Sequence, residues 1–183
     1  DLLRAPEPDV YVLEVSSFQT ELLAEFRPRV ALLLNLSPDH LDRYASVDAY
    51  FAAKMGLFAA MGTGDTAILG GDDPEVAARA GALPTSVARA GFTAGAPGPD
   101  GAGIAEHAGR PWLALGREGG PEPVLPLADW PLVGRPNALN AAAALAAGRA
   151  LGLEVEAMAA ALRGFSGLEH RMERVAEVAG VPY

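Results

Sequence analysis

The sequence predicts an α/β fold: a mostly parallel sheet flanked by helices, with a small β-hairpin region. Three observations point there. Residues 10–15 (VYVLEV) and 30–34 (VALLL) are short apolar runs without polar alternation, the pattern of strands covered on both faces. Helical patterns separate such runs, and strand–helix alternation builds a parallel sheet through right-handed crossovers. The stretch 137–151 is alanine-rich and reads as a strong helix.

In order along the chain, residues 10–15 read as the first strand. Ser16 and Ser17 follow, and residues 18–26 read as a helix with a serine near its N-cap, stopped by Pro28. Residues 30–34 form the second strand and 35–45 a polar loop. Ser46 caps a helix over 47–61, which Gly62 and Gly64 break. Residues 66–69 make a third strand, followed by a turn at 70–73 and a short helix from Pro74. Residues 91–103, rich in Gly, Pro and Ala, read as loop. Short runs around Ile104 and Trp112 flank Gly109 as a hairpin, and 116–123 is again loop. Helices follow over 137–151 and 155–162. Residues 173–178, with Gly180 and Val181, begin a second hairpin. No internal repeat is visible.

Composition narrows the function. The 183 residues, half of them hydrophobic, suit one domain with a sizeable core, or one domain plus a stub. The net charge of −9 and the lack of any basic stripe argue against a nucleic-acid partner. No apolar run is long enough to span a bilayer, and residues 1–8 lack the features of a signal peptide. With no cysteine there is no disulfide framework and no thiolate site, which fits the cytoplasm. The chain does not begin with Met, so it is expected to be part of something longer.

Three groups of residues carry chemical possibilities. Glu14 ends the first apolar run and His40 lies in the loop after the second; parallel neighbours would bring them to one rim, where open α/β sheets bind ligands. A carboxylate and an imidazole make a partial shell for a divalent ion. Alone, Glu14 reads equally well as a solvated carboxylate and His40 as a structural histidine. Lys54 is the only lysine among 14 basic residues and lies on an apolar stripe with Val47, Tyr50, Phe51, Phe58 and Met61. A snorkelling stem accounts for it, as does a site that needs an amine, which arginine cannot supply. Asn137 and Asn140 share one face of the first turn of the alanine-rich helix, where a plain N-cap is the alternative. His170 and Arg171 follow an expected hinge at Gly167. Gly62-Thr63-Gly64 precedes a strand and is therefore a turn.

Taken together these segments resemble the Mur ligase family of ATP-dependent amide ligases. Glu14-Val15-Ser16-Ser17-Phe18-Gln19 resembles its E-[LV]-S-S-F-Q. Asn35 through Tyr44 (NLSPDHLDRY) resembles N-x-x-x-D-H-[LM]-D-R-Y. Tyr50-Phe51-Ala52-Ala53-Lys54 matches Y-x-x-A-K. Gly134 through Asn140 (GRPNALN) resembles G-x-H-N-x-x-N, and Gly167-Leu168-Glu169-His170-Arg171 resembles G-L-x-H-R. The order and spacing are the family's over nearly the whole chain, and the S-S-F-Q and D-R-Y variants favour its D-glutamate-adding members.

The resemblance implies roles. Glu14 and His40 would hold Mg²⁺, and Lys54, carbamylated by CO₂, would be a ligand for a second Mg²⁺. Asn137 and Asn140 would contact ATP, and Arg171, with His170, its phosphates; Lys54, His40 and Arg171 would be the catalytic set. Ser16 and Gln19 would face UDP-N-acetylmuramoyl-L-alanine, whose carboxylate would be phosphorylated and then attacked by D-glutamate. The implied protein is a cytoplasmic monomer of peptidoglycan synthesis. Residues 1–167 would be part of the central ATP-binding domain and 168–183 the start of the C-terminal one. The alternatives are a non-catalytic α/β domain that keeps the fold, or another Mur or folylpolyglutamate-type ligase. Pro136 departs from the pattern, standing where members often carry His.

The resemblance places the phosphate loop, G-x-x-G-K-[ST], before Asp1, and a further Asp and Lys after Tyr183. Residues 1–183 alone are therefore expected to release no phosphate in response to both substrates. The check is a phosphate-release assay on a preparation whose mass matches these residues only.

Overall fold

The computed structural model describes residues 8–168, 176–179 and 181–182. A six-stranded sheet runs in sequential order through β1 (Val30–Leu33), β2 (Thr66–Gly70), β3 (Ala88–Phe92), β4 (Ala102–His107), β5 (Arg110–Leu115) and β6 (Glu122–Pro126). The pairings β1–β2, β2–β3 and β3–β4 are parallel, and β4–β5 and β5–β6 are antiparallel. The mostly parallel sheet and the hairpin about Gly109 are as expected. The hairpin turn has Ala108 at φ 50° and Gly109 at φ 73°, the two positive values that a tight two-residue turn matching strand twist requires.

Helices cover both faces. On one lie α2 (Val47–Met55) and α3 (Pro74–Arg79), over a core of Leu33, Phe51, Phe58, Ala67 and Val76. On the other lie α4 (Arg135–Ala150) and α5 (Val155–Gly164), over Ile68, Phe92, Leu113, Leu115 and Leu125. Ala67 and Ile68, adjacent on β2, point into opposite cores, which is why that strand is apolar without alternation. A separate two-stranded pair, β7 (Glu177–Val178) with β8 (Val181–Pro182), matches the second expected hairpin where it is described.

The local chemistry explains most boundaries. Ser46 caps α2, its hydroxyl accepting the Ala49 N–H at 3.1 Å. Asp73 caps α3 through the Glu75 and Val76 N–H groups, with Pro74 in the first turn. The Gly62–Gly64 turn is pinned by Asp65, whose buried carboxylate accepts the Gly62 N–H and the Arg27 Nε–H. The Gly62 amide, then Arg27, hold the Asp65 carboxyl below its usual 3.8.

Several expectations need correction. Residues 10–15 are not a strand: among the described residues they have no ladder partner, and Val12 is 91% exposed. An apolar run without a neighbour on either edge satisfies none of its backbone groups by pairing. The helix expected over 18–26 is only the single turn α1 (Ser17–Thr20), whose Thr20 hydroxyl donates to the Ala53 carbonyl of α2 at 2.7 Å. The helix expected over 47–61 ends its α-turns at Met55 and tightens into a 3₁₀ turn at Gly56–Phe58. Strand β3 was not anticipated: its run carries Arg89 and Gly91, but it is carried by the ladder from β2. The expected loops 91–103 and 116–123 accordingly give up their ends to β3, β4 and β6. The N-cap of α4 is Gly134, not Asn137.

What remains of the 93–101 loop is tied down from α4. Arg149 donates to the carbonyls of Pro99 at 2.9 Å and Gly116 at 2.6 Å. Gly116 packs so tightly there that a Cβ would sit 1.6 Å from the Gly98 carbonyl oxygen. Replacing Arg149 with Ala is expected to cost about 1–3 kcal/mol through the orphaned carbonyls, and to expose the loop to proteolysis before the sheet. Denaturant unfolding and limited proteolysis check this.

Candidate active site

Two neighbourhoods gather the residues of interest. The first is a cleft of about 370 Å³ at the carboxyl ends of β1, β2 and β3, where open α/β sheets place ligands. Its walls include Leu34, Gly70, Phe92, Pro136 and Leu139, and its polar groups are Asn35, Asp72, Asp73, Arg135 and Asn140. Gly70 is required at the floor: a Cβ there would meet the Leu34 carbonyl oxygen at 2.2 Å.

Asp72 ties three segments of this cleft together. Standing on the β2–α3 turn, its carboxylate accepts the Thr93 hydroxyl, the Ala94 N–H at 2.9 Å and the Arg135 guanidinium at 2.8 Å. The Thr93 hydroxyl is the largest influence and, with the Ala94 amide and Arg135, outweighs partial burial to hold the Asp72 carboxyl below its usual 3.8. Asp73 receives the Leu36 N–H at 3.0 Å, so the segment after β1 is anchored to the start of α3. Arg135 is the first residue of α4, and no side chain caps that helix.

The second neighbourhood surrounds Tyr50. The His40 ring lies 5.8 Å from the Tyr50 ring, and the Lys54 ammonium 5.1 Å from it. The Phe18 ring, on α1, is 4.9 Å from the His40 ring, so α1 is docked beside the loop from β1. His40 has φ +53°, a left-handed conformation that costs a non-glycine residue about 1 kcal/mol or more. The Asp39 carboxylate, accepting the His40 N–H at 2.7 Å, and the Arg43 and Tyr44 N–H groups, donating to the His40 carbonyl, hold that turn. Strain kept in place by this many bonds is characteristic of functional positions.

The expected site residues fall as follows. His40 and Lys54 share the Tyr50 ring, but Lys54 is half-buried, not enclosed in the core as its stripe suggested. Glu14 is exposed on the extended segment before α1, and is not at the end of a described strand. Ser16 and Gln19 form a reciprocal capping box: the Ser16 N–H donates to Gln19 Oε1 at 2.8 Å, and the Gln19 N–H to the Ser16 hydroxyl at 3.3 Å. Asn140 lines the cleft, whereas Asn137 turns its amide back to the Val133 carbonyl at 2.9 Å. His170 and Arg171 lie outside the described residues. Among the described residues no three His, Cys, Asp or Glu side chains cluster as a cation shell.

Asp72 and Arg135 are the cleft residues that the sequence reading missed. Their signals were there: Gly70-Gly71-Asp72-Asp73-Pro74 puts two carboxylates just past a strand, and Gly134-Arg135-Pro136 opens a helix.

Comparison with known proteins identifies the family. The family model of the Mur ligase middle domain matches residues 2–148. The chain is 45% identical over 181 residues to the UDP-N-acetylmuramoylalanine–D-glutamate ligase of Nitrosococcus oceani, covering 99% of this chain and 38% of that protein. It is 40% identical over 189 residues to the UDP-N-acetylmuramoyl-L-alanine–L-glutamate ligase of a Micromonospora species, covering 100% of this chain and 38% of that one. The chain thus spans under two-fifths of the length of these relatives. Among solved structures, a UDP-N-acetylmuramoyl-L-alanyl-D-glutamate–2,6-diaminopimelate ligase superposes with TM-score 0.66 at 23% identity, over 90% of this chain and 34% of that one. MurF of Acinetobacter baumannii does so with TM-score 0.64 at 21% identity, over 89% and 34%. These two likenesses establish the fold.

Because the folded pKa of Asp72 lies below 3.8, its contribution to stability is present above about pH 3.8 and is lost as pH falls through the folded value. Asp72→Asn is expected to melt lower than wild type at pH 7. The two melting temperatures should converge as pH drops below about 3.8, as thermal melts from pH 7 to pH 2.5 would show.

Proposed function

The chain belongs to the Mur ligase family, whose middle domain it carries over residues 2–148, and from that premise we propose that it is the central part of a D-glutamate-adding ligase of peptidoglycan synthesis. The observation that carries this is the 45% identity to such a ligase across 99% of the chain. In this reading residues 1–167 belong to the ATP-binding domain and 168–183 begin the next, in a cytoplasmic, monomeric enzyme.

The reaction is acyl activation followed by amide formation. The terminal phosphoryl group of ATP passes to the carboxylate of UDP-N-acetylmuramoyl-L-alanine, giving an acyl phosphate and ADP. The amine of D-glutamate then attacks the acyl carbon, and inorganic phosphate leaves. The cleft's volume and apolar walls suit a nucleotide, with Asn140 at its edge and Asn137 holding the first turn of α4 in place. His170 and Arg171 would reach the phosphates. Ser16 and Gln19 would face the UDP-linked substrate, their capping box fixing the direction of α1.

The donor types would suit a divalent cation. His40, beside Tyr50, offers an accessible imidazole, Glu14, on the segment before α1, a carboxylate, and Lys54 two further oxygens once its amine has added to CO₂. Mg²⁺ held by Glu14, His40 and the Lys54 carbamate would offset charge on the transferring phosphoryl group. The protein's own part is positional: the turn at His40 and the packing of Tyr50 set where imidazole and amine stand.

The test is a ligase assay on the complete protein with ATP, UDP-N-acetylmuramoyl-L-alanine and either D- or L-glutamate. The proposal expects turnover with D-glutamate. Turnover with L-glutamate alone would move the assignment to the specificity named for the Micromonospora relative, and none with either would reject the ligase reading. Lys54→Arg keeps a cation but cannot form a carbamate, so it is expected to fold normally and lose most activity. Lys54→Ala should be equally inactive but partly rescued by added acetate. Near-normal activity in Lys54→Arg, with unchanged melting, would sink the carbamate role.

A further inference from the structure

We propose that Arg135 is a further phosphate-contacting cation of the cleft and that Asp72 holds it in position to receive the nucleotide. This rests on the nucleotide reading above and names a residue that reading leaves without a role.

Among the described residues Arg135 is the only basic side chain lining the cleft, and it lies there with two carboxylates, Asp72 and Asp73. A polyphosphate entering a pocket with that lining meets repulsion unless a local cation offsets it. The two carboxylates are already engaged. Asp73 accepts the N–H groups of Leu36, Glu75 and Val76, and Asp72 accepts the Thr93 hydroxyl and the N–H groups of Ala94 and Arg135. Arg135 is not similarly saturated. Among the described residues its hydrogen bond is Nη2 to Asp72, and its side chain is 66% exposed. A guanidinium has five N–H donors, so a forked grip on a phosphate remains available while the bond to Asp72 is kept.

Asp72 is well built as the post for such a residue. Its side chain is only 28% exposed, and the bonds from Thr93 and Ala94 fix it independently of Arg135. The carboxyl stays charged throughout the neutral range, since these bonds lower its pKa. An ion pair with one partner this exposed adds little to stability. Its effect is on where the guanidinium stands: against the β2–α3 turn, in the lining of the cleft.

The experiment is calorimetry on the complete ligase with two probes, a non-hydrolysable ATP analogue and adenosine, alongside thermal melts. Arg135→Ala is expected to bind the analogue about tenfold more weakly, bind adenosine as wild type does, and melt within about 2 °C of it. Arg135→Lys should recover part of the loss, because it keeps the charge without the fork. Asp72→Asn should weaken the analogue and spare adenosine. Unchanged analogue affinity in Arg135→Ala overturns the proposal, as does an equal loss for both probes, which marks a packing role. If Arg135→Ala does not fold, wild-type analogue affinity in Arg135→Lys overturns the forked grip. A wild-type enzyme that binds neither probe removes the nucleotide reading itself, and this inference with it.

Discussion

Ala138, Ala141, Ala142, Ala143 and Ala146 are buried where α4 lies on the sheet, touching β1 through β5. Small side chains let a helix approach a sheet closely, and that approach fixes everything else. It buries Ile68, Leu113, Leu115 and Leu125 almost completely, so one face of the sheet becomes a continuous core. It also decides where α4 begins. Because the helix is pressed against the strands, its first turn emerges beside their carboxyl ends, and Arg135, Pro136 and Asn140 become walls of a cleft they would otherwise miss. At its other end the same helix delivers Arg149 to the carbonyls of Pro99 and Gly116 and pins the loop that leads into the antiparallel half of the sheet.

The opposite face obeys a different logic. There the packing is aromatic: Phe18, Tyr44, Tyr50 and Phe51 pack ring against ring in sequence, with Arg43 over Phe18 and Tyr44, and Arg79 over Phe51. Large rings cover area while leaving room at their edges for charged groups. His40 and Lys54 use that room. The cluster is therefore both the packing that seats α1 and α2 against each other and the frame that places an imidazole and an amine around one phenol ring. The two neighbourhoods are joined by the chain between β1 and α2, one end of which Asp73 anchors at Leu36.

Much of this was legible before any coordinates. Strands β1 and β2, the cap at Ser46, the helix start at Pro74, the turn at Gly109 and the helices α4 and α5 all follow from short-range rules, in which a residue's neighbours within a few positions carry the signal. The misreadings have one cause. Strand β3 was hidden because Arg89 and Gly91 spoil its local pattern, while its stability comes from a ladder with β2 some twenty residues away. Residues 10–15 were misread in the other direction: a strong local pattern met no partner among the described residues. Lys54 followed the stripe of its helix, yet the helix changes pitch at Gly56, and burial depends on what packs opposite.

The sequence alone determined the family pattern, the chemical types at each candidate position and the local caps and turns. These are properties of residue identity and spacing, and they survive without knowledge of the fold. Tertiary structure decided which of those groups can act together. It set Asn140 in the cleft and turned Asn137 away, brought His40 and Lys54 to the same ring, and joined Asp72 to Arg135 across 63 positions of chain. No short-range rule pairs residues so far apart, because that pairing exists only once α4 has packed on the sheet and closed the loop between them.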